Sequence, residues 1–448
     1  MSFKHFRKSY CAVLVLLAAI SLTGCSVSID VSPEATSNIA VADNPEGSSD
    51  NAGTSIDTSS SDEPDDELPL TLRDAIASPE GLGEDAICGT CLGLPGIKDD
   101  RLMELVEDNF NAVTLENELK PESMLGKGRP AGESIHEEEV NGKTISVPTL
   151  DHSSADAVLD KITEHNEKHP DKPILVRGHV LVWHSQTPEW FFHVDYDRSK
   201  DYVSPEEMNE RLEWYIRSML EYYTGPDSKY NGLFYGWDVV NEAVSDRTGT
   251  YRNDTEDSIW WKVYGSNEYI INAFRYANMY APSDLDLYYN DYNECDAHKL
   301  KGIISLIDDV KAAEGTRITG FGMQGHYSVY FPTADRIEEC ARAYAETVDK
   351  IMLTELDTKT SMLFNGNKEE LPKEYDRQAK YYKSIYEAAK RLKADGIDIA
   401  GITFWGTVDK YSWLQQSGTH YPLLFDSDYN AKPAYYSFTD PDMISSGS

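Results

Sequence analysis

Between residues 71 and 440, short apolar runs alternate with longer amphipathic ones, eight times in succession. The apolar runs are 86–93, 110–116, 174–183, 234–242, 285–292, 317–326, 350–357 and 399–407. The stretches between them repeat at helical spacing. In 204–223 the apolar set is Met208, Leu212, Tyr215, Ile216 and Met219; in 372–394 it is Tyr381, Tyr382, Ile385 and Leu392. Strands that alternate with helices build parallel βαβ units. Eight such units predict an α/β chain closed into a (β/α)8 TIM barrel. A doubly wound open sheet is the structural alternative, but the chain lacks the G-x-G-x-x-G and P-loop motifs that would give such a sheet a nucleotide site.

A barrel works at the C-terminal ends of its strands, so the strand tips are informative. In chain order they present Glu116-Asn117 and Lys120; His179, Trp183, His184 and Gln186; Asn241-Glu242; Asn290 to Asn293, including Tyr292; Gln324 and His326; Glu355 and Asp357; Trp405 and Trp413. Seven of the eight tips are polar or aromatic, the first being the exception. The stretch "WDVVNEA" (237–243) shows the pattern well, because an apolar strand ends in an amide and a carboxylate. A carboxylate there is costly to bury unless it is paired or put to work. Two carboxyls at separate tips, ringed by Trp, Asn, Gln and His, suit glycosidic bond cleavage, which needs a proton donor and a second carboxylate across the sugar ring. Trp faces stack on sugar rings, while amides and imidazoles bind hydroxyls.

Other chemistries lack their parts. The chain contains no G-x-S-x-G elbow and no ligand cluster at metal spacing, so neither a metal nor a cofactor is implied. A net charge of −36 argues against nucleic acid as a partner. Cys88 and Cys91 fall on one expected strand, where Cα atoms three apart are about 10 Å distant, too far for a disulfide; they read as buried free thiols. His165 and His169 precede Pro170 and read as a solvated helix end.

The segments "RGHVLVWHSQTPEWF" (177–191), "WDVVNEA" (237–243), "YNDYN" (289–293), "GMQGH" (322–326), "TELD" (354–357) and "WGTVDKYSW" (405–413) together resemble glycoside hydrolase family 10, in family order over roughly 72–438. The resemblance implies a retaining endo-1,4-β-xylanase acting on xylan and xylo-oligosaccharides, with Glu242 as acid/base and Glu355 as nucleophile. It implies that His326 and Asp357 hold Glu355 ionised and that Asn241 binds the sugar 2-hydroxyl. Glu116, Asn117, Lys120, His179, Trp183 and Gln186 would line the glycone subsites, Tyr292 and Gln324 the centre, and Trp405 and Trp413 a lid over the reacting sugar. Trp190, Trp260 and Trp261 fit core packing at least as well as a sugar platform. A strand-end Asn-Glu is shared by a whole clan of barrel glycosidases, so a β-1,4-glucanase is one alternative; a non-catalytic sugar-binding lipoprotein is another.

One departure is the long link 128–150 after the second strand. Val140-Asn141-Gly142-Lys143 reads there as a hairpin with a type I′ turn. It is expected beside the glycone end of the cleft, with Glu137, Glu138 and Glu139 serving solubility or substrate contact.

The N-terminus has a different character. Lys4, Arg7 and Lys8 precede an apolar run that ends in Leu22-Thr23-Gly24-Cys25. This reads as a lipoprotein signal over 1–24 with Cys25 as the lipidated residue. Residues 26–70 contain 11 acids and no Lys or Arg, the composition of a disordered tether. Its reach as a flexible coil would be roughly 35–40 Å. The expected organisation is therefore signal 1–24, tether 25–70, catalytic domain 71–440 and tail 441–448. Such a protein would be a monomer on a bacterial cell surface or envelope, touching membrane only through the lipid, or else secreted.

Overall fold

The eight expected strands form one closed parallel sheet in the computed structural model, which describes residues 70–417 and 420–444. The signal, the tether, Cys25 and the end of the tail lie outside the described residues. In chain order the strands are β1 (Ile87–Leu92), β2 (Ala112–Leu115), β3 (Ile135–Val140), β4 (Lys143–Pro148), β5 (Leu175–Trp183), β6 (Phe234–Asn241), β7 (Asp286–Asp291), β8 (Gly320–Met323), β9 (His326–Ser328), β10 (Lys350–Lys359) and β11 (Ile399–Phe404). The barrel runs β1-β2-β5-β6-β7-β8-β10-β11 and closes where β11 pairs with β1, Ile87 opposite Gly401. Every pairing around the ring is parallel.

Helices cover the outside because their apolar stripes match the outward strand faces. The helix Pro205–Thr224 starts on Ser204, whose side chain accepts from Glu207 N, and has Pro205 in its first turn. Met208, Leu212, Tyr215, Ile216 and Met219 are all buried under it. In the helix Leu371–Ala394, Tyr381, Tyr382, Ile385 and Leu392 are buried in the same way. Close approach is demanded at Gly178, where an added Cβ would lie 2.0 Å from the Trp237 ring on the neighbouring strand.

The barrel interior is layered. Ile87, Ala112, Tyr288 and Met352 form a separate apolar cluster with Leu175, Tyr235 and Ala400, mostly from the N-terminal strand ends. Above it the interior is polar. Arg177 donates through Nη1 to both oxygens of Asp238 (3.0 and 2.8 Å) and through Nη2 to the Thr354 carbonyl at 2.9 Å. A bulge in β6, where Val176 pairs with Phe234 and Arg177 with Gly236, lets Tyr235 and Asp238 both face inward.

Two strands differ from expectation. The second begins at Ala112 rather than 110, because the Asn111 side chain takes the place of the ladder: its Oδ1 accepts from Cys88 N at 2.8 Å and its Nδ2 donates to Ala86 O at 2.9 Å. The run 317–326 is two strands, β8 and β9, broken at Gly325, whose φ of +80° suits glycine. Past the break β9 pairs with the end of β10, His326 opposite Asp357.

The link 128–150 contains the expected hairpin. Val140 pairs with Lys143, and Asn141 and Gly142 both have positive φ (52° and 76°), as a type I′ turn requires. No residue of β3 or β4 lines the cleft described below. Side chains of the helix Pro205–Thr224 hold the hairpin. Asn141 bonds Glu213, Lys143 pairs with Glu210, and Arg217 donates to the Glu139 carbonyl and the Glu138 carboxylate, both at 2.9 Å. Glu138 is therefore a structural ion-pair partner, a role between the two expected of the acidic trio. His165 also departs from expectation: it is buried, with Nε2 3.1 Å from the Lys172 carbonyl. Cys88 and Cys91 are buried free thiols.

Candidate active site

The polar strand tips converge on one cleft of about 560 Å³ at the C-terminal end of the barrel. Every side chain predicted for the site lines it except Asp357, which sits behind His326. The arrangement follows from strand parity and from a break in it at the end of β6. Glu242 lies just past β6 with φ 57°, so the chain leaves the sheet there and the carboxyl turns into the cleft. Its carbonyl accepts from Arg252 Nε at 2.9 Å, and its N–H donates to Asn290 O at 2.9 Å. The Tyr289 hydroxyl accepts the next two amides, Ala243 N and Val244 N, at 3.0 and 3.2 Å. A left-handed Glu is unusual, and these bonds hold it.

The two carboxyls have different surroundings. Glu242 Oε2 accepts from Trp183 Nε1 at 2.8 Å and Oε1 from Gln324 Nε2 at 3.0 Å. Burial pushes its carboxyl above the usual range, and the charges of Asp291 and Glu355 add to that, against the lowering effect of the two hydrogen bonds. Glu355 is the more deeply buried. Burial alone would raise it, yet it is lowered to about 2 by the His326 hydrogen bond and the positive charges of His179, His326 and Arg177. Its Oε2 lies 3.1 Å from His326 Nε2, and its Oε1 accepts from Asn290 Nδ2 at 2.7 Å. His326 Nδ1 lies 3.0 Å from Asp357 Oδ1. Burial disfavours the imidazolium, but Asp357 and Glu355 outweigh it and raise His326 to about 10. The other Asp357 oxygen accepts from Trp413 Nε1 at 2.8 Å.

A chain of amides joins the two carboxyls. Asn241 Oδ1 accepts from both Asn290 Nδ2 (3.0 Å) and Gln324 Nε2 (3.1 Å), which fixes its flip and leaves its own Nδ2 for a ligand. On one side Glu116, Asn117, Lys120 and Gln186 line the cleft. Lys120 Nζ donates to Asn117 Oδ1 at 3.2 Å and lies 5.1 Å over the Trp183 ring. Burial raises Glu116 and lowers Lys120, the latter opposed by the Glu355 and Glu116 charges. His179 Nδ1 bonds Asp238 at 2.7 Å and meets Trp405 edge-on at 5.5 Å. Trp405 is 6% exposed, whereas Trp413 is 42% exposed above it. On the other side the Tyr292 hydroxyl bonds Asp246, and Lys299 Nζ pairs with Asp246 (2.7 Å) and Asp291 (2.9 Å) under the Tyr292 ring. His184, 4.0 Å from Glu242, is pushed down to about 3 by burial and by the Arg252 and Lys299 charges. Trp190 and Trp260 are buried core, and Trp261 packs on Tyr251.

Sequence reasoning placed Asn290 and Asn293 at a strand tip without a role, and it missed Lys359, Arg177 and Asp238. Asn293 and Lys359 line the cleft, Asn290 bonds Glu355, and Arg177 with Asp238 stands beneath it. The last two had a signal: an Arg and an Asp inside otherwise apolar strand runs must find each other if both are buried. Among the described residues no group of His, Cys, Asp or Glu is arranged to hold a metal ion.

Comparison with known proteins agrees with this geometry. Residues 82–441 match the model of glycosyl hydrolase family 10. The chain is 34% identical to the bifunctional endo-1,4-beta-xylanase XylA of Ruminococcus flavefaciens over 74% of its own length and 31% of that protein's. It is 32% identical to endo-1,4-beta-xylanase A of Thermotoga maritima over 87% of its length and 33% of that protein's. The chain thus spans about a third of the length of these curated relatives. Among solved structures, the CBM22-1–GH10 modules of the N-terminal endo-1,4-beta-D-xylanase 10B of Clostridium thermocellum, complexed with xylohexaose, superpose with a TM-score of 0.68 at 29% identity, covering 84% of this chain and 68% of that one. With the family model spanning the whole barrel, and with the motifs that resembled that family meeting in one cleft, the chain belongs to glycosyl hydrolase family 10.

Proposed function

We propose that the chain hydrolyses internal β-1,4-xylosidic bonds of xylan with retention of configuration. The observation that carries this reading is the opposed tuning of two carboxyls in one cleft: Glu355 is held ionised at about 2 and Glu242 is pushed upward. Pairs of titratable groups driven apart in this way divide the acid and base roles between them. The similarity to endo-1,4-beta-xylanases supports the substrate class and the endo mode.

In the first displacement the Glu355 carboxylate attacks the anomeric carbon while Glu242 gives its proton to the departing glycosidic oxygen. A glycosyl ester forms on Glu355, and the charge that helped to raise Glu242 disappears. Glu242, now ionised and stabilised by Trp183 and Gln324, takes a proton from water. That water attacks the same carbon and releases the sugar, restoring both groups. His326, kept positive by Asp357, holds Glu355 charged before attack and eases its departure afterwards. Asn241 Nδ2 would bind the 2-hydroxyl, and Trp405 under Trp413 would leave little room for the hydroxymethyl group of a hexose.

Retention is tested by proton NMR of the first-formed anomer from xylopentaose: β-product supports double displacement, and α-product contradicts it. Reducing-sugar release from xylan is expected to exceed that from carboxymethylcellulose; the reverse order would make the protein a glucanase. For location we propose a monomer anchored through lipid on Cys25 and lifted from the bacterial surface by 26–70. The supporting signal is the leader ending in Leu22-Thr23-Gly24-Cys25. Cys25→Ala is then expected to shift the protein from the membrane to the soluble fraction.

A further inference from the structure

Two lysines line the cleft, and their situations differ. Lys120 is buried at the floor, bonded to Asn117 and in the field of Glu116 and Glu355. Lys359, the last residue of β10, is only half-buried and has no hydrogen-bond or ion-pair partner for its ammonium among the described residues. Its Nζ stands 5.8 Å over the Trp413 ring. Among the described residues no acid lies within ion-pair distance of it. Asp357 is already held by Trp413 Nε1 and faces His326. The neighbouring His420 bonds Thr360 at 3.0 Å and is lowered by burial and by the Lys359 charge, so it offers no anion either. An ammonium carries three donors, and none of these three meets a partner among the described residues.

Neutral sugar hydroxyls gain little from a free cation; a carboxylate gains a charge-assisted hydrogen bond. The chain as a whole carries −36, a field that repels an anionic polymer, and Lys359 places an uncompensated positive charge inside the cleft. Beside it, the 42% exposed Trp413 offers a face on which a pyranose can stack. We propose that Lys359 and the exposed face of Trp413 form a recognition site for a uronic-acid side group on the xylan backbone, with the substituent's carboxylate on Lys359 Nζ. The site rests on the xylanase reading and selects among xylans by their charge.

The test compares kcat/KM for a xylo-oligosaccharide bearing one glucuronosyl group with that for the unsubstituted oligosaccharide of equal length. Lys359→Met keeps an aliphatic stem along Trp413 and removes the charge; Lys359→Arg keeps the charge. In Lys359→Met the decorated-to-plain ratio is expected to fall about 3- to 10-fold, the range of a charge-assisted contact at a partly exposed site. Lys359→Arg is expected to recover most of it. Added salt is expected to lower the wild-type ratio through screening. An unchanged ratio in Lys359→Met, or an equal loss on both substrates, would overturn the uronate site and leave the xylanase reading standing. A wild type that leaves the plain oligosaccharide intact would overturn both.

Discussion

The two walls of the cleft solve opposite problems with similar materials. On the β10 wall Glu355 is buried, which favours the neutral acid, yet it stays charged because His326 is bonded to it and Arg177 lies beneath. On the β6 wall Glu242 receives only neutral donors, Trp183 and Gln324, and faces the Asp291 carboxylate, so burial prevails and its pKa rises. Burial acts in the same direction on both walls. What separates them is the sign of the fixed charge nearby, and that charge is set by residues one layer behind the cleft.

Removing the deepest part of the charged wall is expected to have the largest effect. Asp238→Asn leaves Arg177 buried without a counterion, at a cost of about 3–5 kcal/mol. Thermal or urea unfolding would measure it. A change under 1 kcal/mol would mean that the Arg177–Asp238 pair does not anchor this wall. Neutralising the nearer charge acts on chemistry instead. His326→Gln keeps a donor near Glu355 but removes the cation, so burial dominates and the Glu355 pKa rises. Glu355 must be ionised to attack, and in the wild type its pKa is held below the usual carboxylate range, so the acid limb of the kcat/KM profile is expected to climb toward neutral pH. The alkaline limb, set by deprotonation of Glu242 at its raised pKa, is expected to move much less. An acid limb that does not move would remove His326 as the source of the asymmetry. The smallest effect lies outside both walls. Gly142→Ala meets no atom within 4 Å and faces only the positive φ of the turn, so a loss of about 1 kcal/mol with unchanged kcat/KM is expected.

The barrel was legible because its signal repeats: eight apolar runs with helical spacing between them leave few topologies. The site was legible at the tips for a related reason, since a carboxylate such as Glu242 has no structural reason to end an apolar strand. What escaped was set by partners far apart in sequence. The hairpin turn was readable at Asn141-Gly142, but its resting place depends on Glu210, Glu213 and Arg217, some 70 residues onward. The split between β8 and β9 turns on the left-handed conformation of Gly325, which a Gly in an apolar run signals only weakly. His165 reads as a helix-end polar residue until Lys172 folds back over it. Lys359 lies two residues past "TELD", and its side chain enters the cleft because β10 continues past Glu355.

The difference between the walls is tested most directly by truncating each carboxyl and reading the stereochemistry of rescue. With an aryl xylobioside whose leaving group needs no proton, Glu242→Ala is expected to form the glycosyl ester and stall. Azide then takes the place of water, and two displacements give the β-glycosyl azide. Glu355→Ala is expected to be inactive until azide fills the vacated space, and its single displacement gives the α-azide. Product anomers are read by proton NMR. Opposite anomers from the two variants are the predicted result; the same anomer from both would contradict the assignment of nucleophile and acid/base to the two walls.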